Sequence, residues 1–112
     1  MSKIKEQTFV CIDCEATGLD VVQDRIVEVA VAVFTIDGIV ASFESLINPE
    51  REIPANVIEV HHITNDMVKG KPTIETVLPE VIQLIGRHPI VGHGIKFDVD
   101  LIDQAAKRFN IP

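Results

Sequence analysis

The sequence predicts an α/β fold, a mixed sheet with helices packed on it, from three observations. Its first half carries three apolar runs of strand character. Its second half switches to the spacing of amphipathic helices, and Gly and Pro fall between the runs as punctuation. At 112 residues and 46% apolar side chains, the chain has enough apolar surface to pack one core.

The elements follow in order. Phe9 to Cys14 is a short apolar run ending at polar residues, and Arg25 to Ile36 is rich in Val, Ile and Ala. After the Asp37-Gly38 turn signal, Ile39 to Ile47 continues with Val40, Phe43 and Leu46, so the second and third strands form a hairpin. Ile74, Val77, Leu78, Val81, Ile82 and Ile85 then recur at helical spacing behind Thr73, a residue suited to the N-cap, and Pro79 within the run predicts a weakened or kinked helix. His88 to Gly92 is a short strand. From Asp98 onward Leu101, Ile102, Ala105 and Phe109 mark one helical face. The predicted order is three strands, helix, strand, helix, with no internal domain boundary.

Charge narrows the function classes. The formal charge of −7, from 17 acidic against 10 basic residues, argues against a protein that grips long duplex nucleic acid by neutralising many phosphates. An enzyme with short nucleic-acid contacts remains compatible, because bound divalent cations reverse the field locally. Two cysteines are too few for a disulfide framework, and no secretory leader opens the chain, so the expected location is cytoplasmic. No apolar stretch approaches the roughly 20 residues of a membrane-spanning helix, and no membrane partner is expected.

Asp13 and Glu15 lie two apart at the end of the first strand. Side chains alternate along a strand, so both carboxylates project from one face and can share a cation, while Cys14 points to the other. The ordinary alternative is that strand ends are acidic because they meet solvent. Asp98 heads the apolar stripe of the last helix, where an acid is either partnered or placed at the core's edge; favourable interaction with the helix dipole is its ordinary explanation. Asp100 and Asp103 lie off that stripe as solvated charges. Acid-only ligands suit Mg²⁺ or Mn²⁺ better than zinc, and a pair of such ions assists in-line phosphoryl displacement. Cys11 and Cys14 have the C-x-x-C spacing but face opposite sides of a strand, which disfavours a zinc or redox pair. Lys96, Lys107 and Arg108 are read as solvated helix charges, with a phosphate backbone as the alternative.

Four ordered segments carry a resemblance. Asp13-Cys14-Glu15-Ala16-Thr17-Gly18-Leu19 resembles the D-x-E-x-T-G-L motif of DEDD-type 3′→5′ exonucleases, a family that includes the polymerase III epsilon proofreading subunit, ribonuclease T and oligoribonuclease. Arg25 to Ala30 is similar to its second strand. Ile53-Pro54 with His61-His62-Ile63-Thr64 is similar to its I-P and H-G-I-T stretch, and Val91 to Asp98 resembles its V-x-H-N-x-x-F-D motif.

This resemblance implies a ribonuclease H-like mixed sheet with flanking helices: the first strand central, the second and third antiparallel beside it, the fourth on its other side. It implies Asp13, Glu15 and Asp98 as catalytic metal ligands for two Mg²⁺ or Mn²⁺ ions. Ala16, Thr17, Leu19, His61 and Phe97 are implied to contact the terminal nucleotide, with Leu19 wedged against bases; core packing is the ordinary fate of Leu19 and Phe97. The implied reaction is hydrolysis at a single-stranded nucleic-acid 3′ end releasing nucleoside 5′-monophosphates, as in DNA proofreading, with a DNA polymerase as a further partner.

Departures accompany the matches. His62 stands where the family has Gly, and Gly94 where it has Asn. The family's third motif, which carries the fourth acid and the histidine base, does not occur beyond Asp98. Residues 1–112 are therefore expected to be the N-terminal portion of one exonuclease domain, C-terminally incomplete. The competing expectation is a catalytically inactive truncated module that binds a polymerase, or self-associates as a homo-oligomer through exposed sheet edge and apolar surface.

Overall fold

The structure, a computed structural model, describes residues 7–111. Three strands, β1 (Phe9–Ala16), β2 (Ile26–Thr35) and β3 (Gly38–Leu46), form an antiparallel sheet in the order β1-β2-β3. Four helices follow: α1 (Ala55–His61), α2 (Asn65–Val68), α3 (Ile74–Ile85) and α4 (Ile95–Arg108). Val10, Ile12 and Cys14 pair directly with Val33, Val31 and Val29, so alternation puts all six on one buried face. Leu78 and Val81 of α3 and Leu101, Ile102 and Ala105 of α4 close the core over that face.

The expected fourth strand is reduced to one parallel bridge of Ile90 to Val10. Val10 N donates to Pro89 O at 3.0 Å and Val91 N donates to Val10 O at 2.9 Å. Pro89, lacking an N–H, and Gly92, at φ 143°, bound the segment and keep it short. Its position is the expected one, on the side of β1 away from β2.

Two short helices, α1 and α2, enter where no helix was expected. Seven residues with none buried leave α1 no apolar period to read, and α2 has only four residues. Thr64 caps α2, its Oγ1 accepting from Met67 N at 3.2 Å. What anchors the pair is a bulge: the β1–β2 register shifts between Glu15 and Ala16. Ile26 thereby joins the main core, whereas Val27 packs in a second cluster with Ile53, Ile63 and Val68, which carries α1 and α2 to the carboxylate end of β1.

The two family departures have physical readings. His62 takes the left-handed conformation, φ 62°, that ends α1, where Gly would cost less. Gly94, at φ 67° before α4, occupies a left-handed position with open space about it. Pro79 falls inside α3, which continues through it as one helix with the proline ring exposed.

Candidate active site

Sheet pairing builds an acidic face at the carboxyl end of β1. Asp13 pairs with Ala30, which pairs with Glu44, and Glu15 pairs with Glu28, so all four acids share the face opposite the core. Asp13 is exposed and Glu15 half-buried.

The first turn of α4 supplies the third expected ligand. Asp98 is only 8% exposed, and its Oδ1 accepts a hydrogen bond of 2.8 Å from the backbone N of Cys14, the residue between Asp13 and Glu15. An acid from a distant helix is thus tied to the backbone of the residue that separates the two strand acids, with the cost of its burial partly offset by a charge-assisted bond. Burial, reinforced by the Asp13 charge, raises the Asp98 carboxyl above its ordinary pKa against the opposing pull of the Cys14 N–H. Burial also raises Glu15, helped by Asp13 and Asp98 and opposed by His61. Glu28 is raised by burial and then by Glu44, Glu15 and Asp13. Burial, and then the charges of Asp98, Asp13 and Glu15, push the Cys14 thiol far up, so it stays protonated, and both cysteines are free.

A cavity of about 680 Å³ takes Asp13, Glu15 and Asp98 along one wall, with Ala16, Leu19, His61 and Phe97 around the rest. Leu19 projects from the β1–β2 loop 89% exposed, which excludes core packing as its role. His61, the last residue of α1, places its Nε2 3.2 Å from Ala16 O, while its Nδ1 accepts from Ile63 N at 3.1 Å. Both ring nitrogens are engaged, and the ring faces the cavity as a wall.

Thr17 is placed otherwise. It is 2% exposed and does not line the cavity; its Oγ1 donates to Asp24 Oδ1 at 2.9 Å and accepts from Arg25 N at 3.0 Å. Asp24 is the residue that sequence reasoning missed. Its second oxygen accepts from Asp20 N at 3.0 Å, and a Cβ on Gly18 would lie 2.3 Å from that oxygen. The Thr-Gly-Leu run thus acquires a physical order: Thr17 clamps Asp24, Gly18 yields room to its carboxylate, and Leu19 is turned outward. The only sequence signal was an acid just before the second strand.

The donor set fits a hard divalent cation, being carboxylate oxygen alone around one cavity, with like charges that a cation would relieve. Among the described residues, no three His, Cys, Asp or Glu side chains are already gathered as ligands of a single ion. None of the described helices is long and apolar enough to cross a membrane.

Comparison with known proteins agrees with this geometry. A family model described as an exonuclease, of the RNase T type, matches residues 10–112. The DNA polymerase III epsilon subunit of Aquifex aeolicus is 40% identical over 103 residues, which are 91% of this chain and 50% of the subunit. The chain thus spans about half the length of that relative. Among solved structures, exonuclease X in complex with 5′-overhanging duplex DNA superposes with a TM-score of 0.69 at 34% identity, over 83% of this chain and 52% of that one. Exonuclease I superposes with a TM-score of 0.81 over 92% of this chain and 24% of its own, but at 16% identity it shares the fold alone, a ribonuclease H-like α/β arrangement.

Proposed function

The chain belongs to the RNase T exonuclease family, and on that premise we propose that it carries the carboxylate half of a divalent-metal-dependent 3′→5′ exonuclease site acting on single-stranded nucleic-acid ends. The observation that supports this reading most is the bond from Cys14 N to Asp98 Oδ1, because it ties α4's acid to the strand residue flanked by Asp13 and Glu15. These three carboxylates are the proposed ligands of Mg²⁺ or Mn²⁺. When bound, such ions supply charge stabilisation to both the attacking and the leaving oxygen of the phosphodiester.

The chain's own residues do the remaining work. Ala16, His61 and Phe97 wall the cavity, Leu19 stands free to meet a terminal base, and the Thr17–Asp24 clamp fixes the loop that presents it. The third-motif histidine to which the family resemblance assigns proton removal from the attacking water is not among these 112 residues. We propose the residues as the N-terminal portion of a single exonuclease domain.

Product analysis on the intact polypeptide carrying this chain tests the function. With a 5′-labelled single strand and Mn²⁺, shortening from the 3′ end with release of nucleoside 5′-monophosphates is expected, and Asp13→Ala or Asp98→Asn abolishes it. Internal cuts, products ending in 3′-phosphate, or cleavage unaffected by both substitutions would overturn the reading.

A further inference from the structure

The chain's four arginines are Arg25, Arg51, Arg87 and Arg108, and three of them converge on one cleft. The cleft measures about 300 Å³ and lies apart from the carboxylate cavity, with which it shares no lining residue. Arg25 comes from the β1–β2 loop, Arg51 from the segment after β3, and Arg108 from the last turn of α4. In a chain of formal charge −7 this is a concentrated island of positive charge.

The local structure holds it together. Arg25 Nη1 donates to the carbonyls of Gln23 at 2.8 Å, Asp24 at 3.2 Å and Val22 at 3.3 Å, and Arg51 Nη1 donates to the same Gln23 carbonyl at 2.7 Å. Two cations are thus drawn together by backbone oxygens that carry no net charge. Arg108 lies over the Phe109 ring, 6.0 Å from its centre. Among the described residues no arginine is within ion-pair distance of a carboxylate, although Glu50 also lines the cleft; the ion pairs are Lys96–Asp100 and Lys107–Asp103. Burial and the charges of Arg25 and Arg51 push the Arg108 pKa down. Three guanidinium groups lining one cleft, none of them in an ion pair, favour an anion with several oxygens, and guanidinium geometry matches phosphate.

We infer that the cleft of Arg25, Arg51 and Arg108 is a phosphate-binding site for the nucleic-acid backbone, distinct from the carboxylate cavity. It rests on the proposed exonuclease reading for the identity of the ligand. α4 carries Asp98 in its first turn and Arg108 in its last, a rise of about 15 Å. A strand held by its end at the carboxylates therefore reaches the arginines through a more distant phosphate. Such a contact positions the strand without reading its sequence.

The test measures binding without metal, in a chelator, by fluorescence anisotropy of a labelled single-stranded oligonucleotide on the full chain. Arg51→Ala and Arg108→Ala are expected each to weaken binding several-fold and to flatten the salt dependence by about 0.7 per lost contact. Arg87→Ala, which removes the exposed arginine that lines neither the cleft nor the carboxylate cavity, should change neither. Inorganic pyrophosphate is expected to compete for the site. Unchanged affinity and salt slope in the double arginine variant, or arginine-dependent capture of polyglutamate but not of the oligonucleotide, would overturn the inference. Pyrophosphate binding without oligonucleotide binding would overturn it too. Failure of the exonuclease reading shows separately, as absent cation affinity beside intact arginine-dependent binding.

Discussion

Asp98 does two jobs through one side chain, and substitutions separate them. Asp98→Ala leaves the Cys14 N–H without its acceptor in a buried setting and should cost about 1–3 kcal/mol of stability. Asp98→Asn keeps an oxygen acceptor, so denaturant titration should find it closer to wild type, while cation affinity is lost in both. Equal destabilisation by the two would show that the hydrogen bond does not anchor the helix. Like charge on the sheet face supplies a second prediction. Glu15, Glu28 and Asp98 all have raised pKa values, so between the ordinary carboxylate range and neutrality the folded state binds more protons than the unfolded one. Stability from these groups then falls as pH rises, and the metal-free protein should melt higher at about pH 5 than at about pH 7. Glu28→Gln removes the like charge directly opposite Glu15 and should stabilise the protein at neutral pH by about 0.2–1 kcal/mol. At this scale the sequence was legible where period alone decides direction, as for Asp13 and Glu15. It was silent on Asp24 and Glu28, because loop closure and cross-strand register, which place them, are tertiary properties.

α3 shows how packing overrides local preference. Pro79 removes a backbone donor inside the helix, yet the helix continues because Leu78 and Val81 beside it are fully buried. Since Pro79 itself is exposed, Pro79→Ala should restore the bond to the Glu75 carbonyl and stabilise the protein by about 1–3 kcal/mol, measured by urea unfolding. A destabilised variant would show that the ring packs in a way its exposure conceals. Long elements with a clear apolar period, β2, β3, α3 and α4, could be read from the residues. α1 and α2 could not, because their attachment depends on the bulge that turns Val27 away from the main core. Their absence from the sequence reading mattered, since α1 carries His61 to the cavity.

On the scale of the whole molecule, the sheet separates two chemistries. One face is apolar and sealed by α3 and α4; the other gathers acids where β1 ends, and α4 links the two by burying its stripe while delivering Asp98. The four family-like segments, distant in sequence, meet at this end: β2 begins beside Ala16, His61 reaches the Ala16 carbonyl, and Asp98 accepts from Cys14 N. A site divided between a strand and a helix makes cation binding and tertiary structure interdependent, so a divalent cation should raise the melting temperature. The most direct measurement is paramagnetic broadening of backbone amide NMR signals by substoichiometric Mn²⁺. Residues 13–16 and 97–99 should broaden first and together, and Asp98→Asn should abolish the effect at both segments. Broadening spread over separate surface acids such as Asp20, Glu50 and Asp66, or confined to β1 and unaltered by Asp98→Asn, would contradict a shared site.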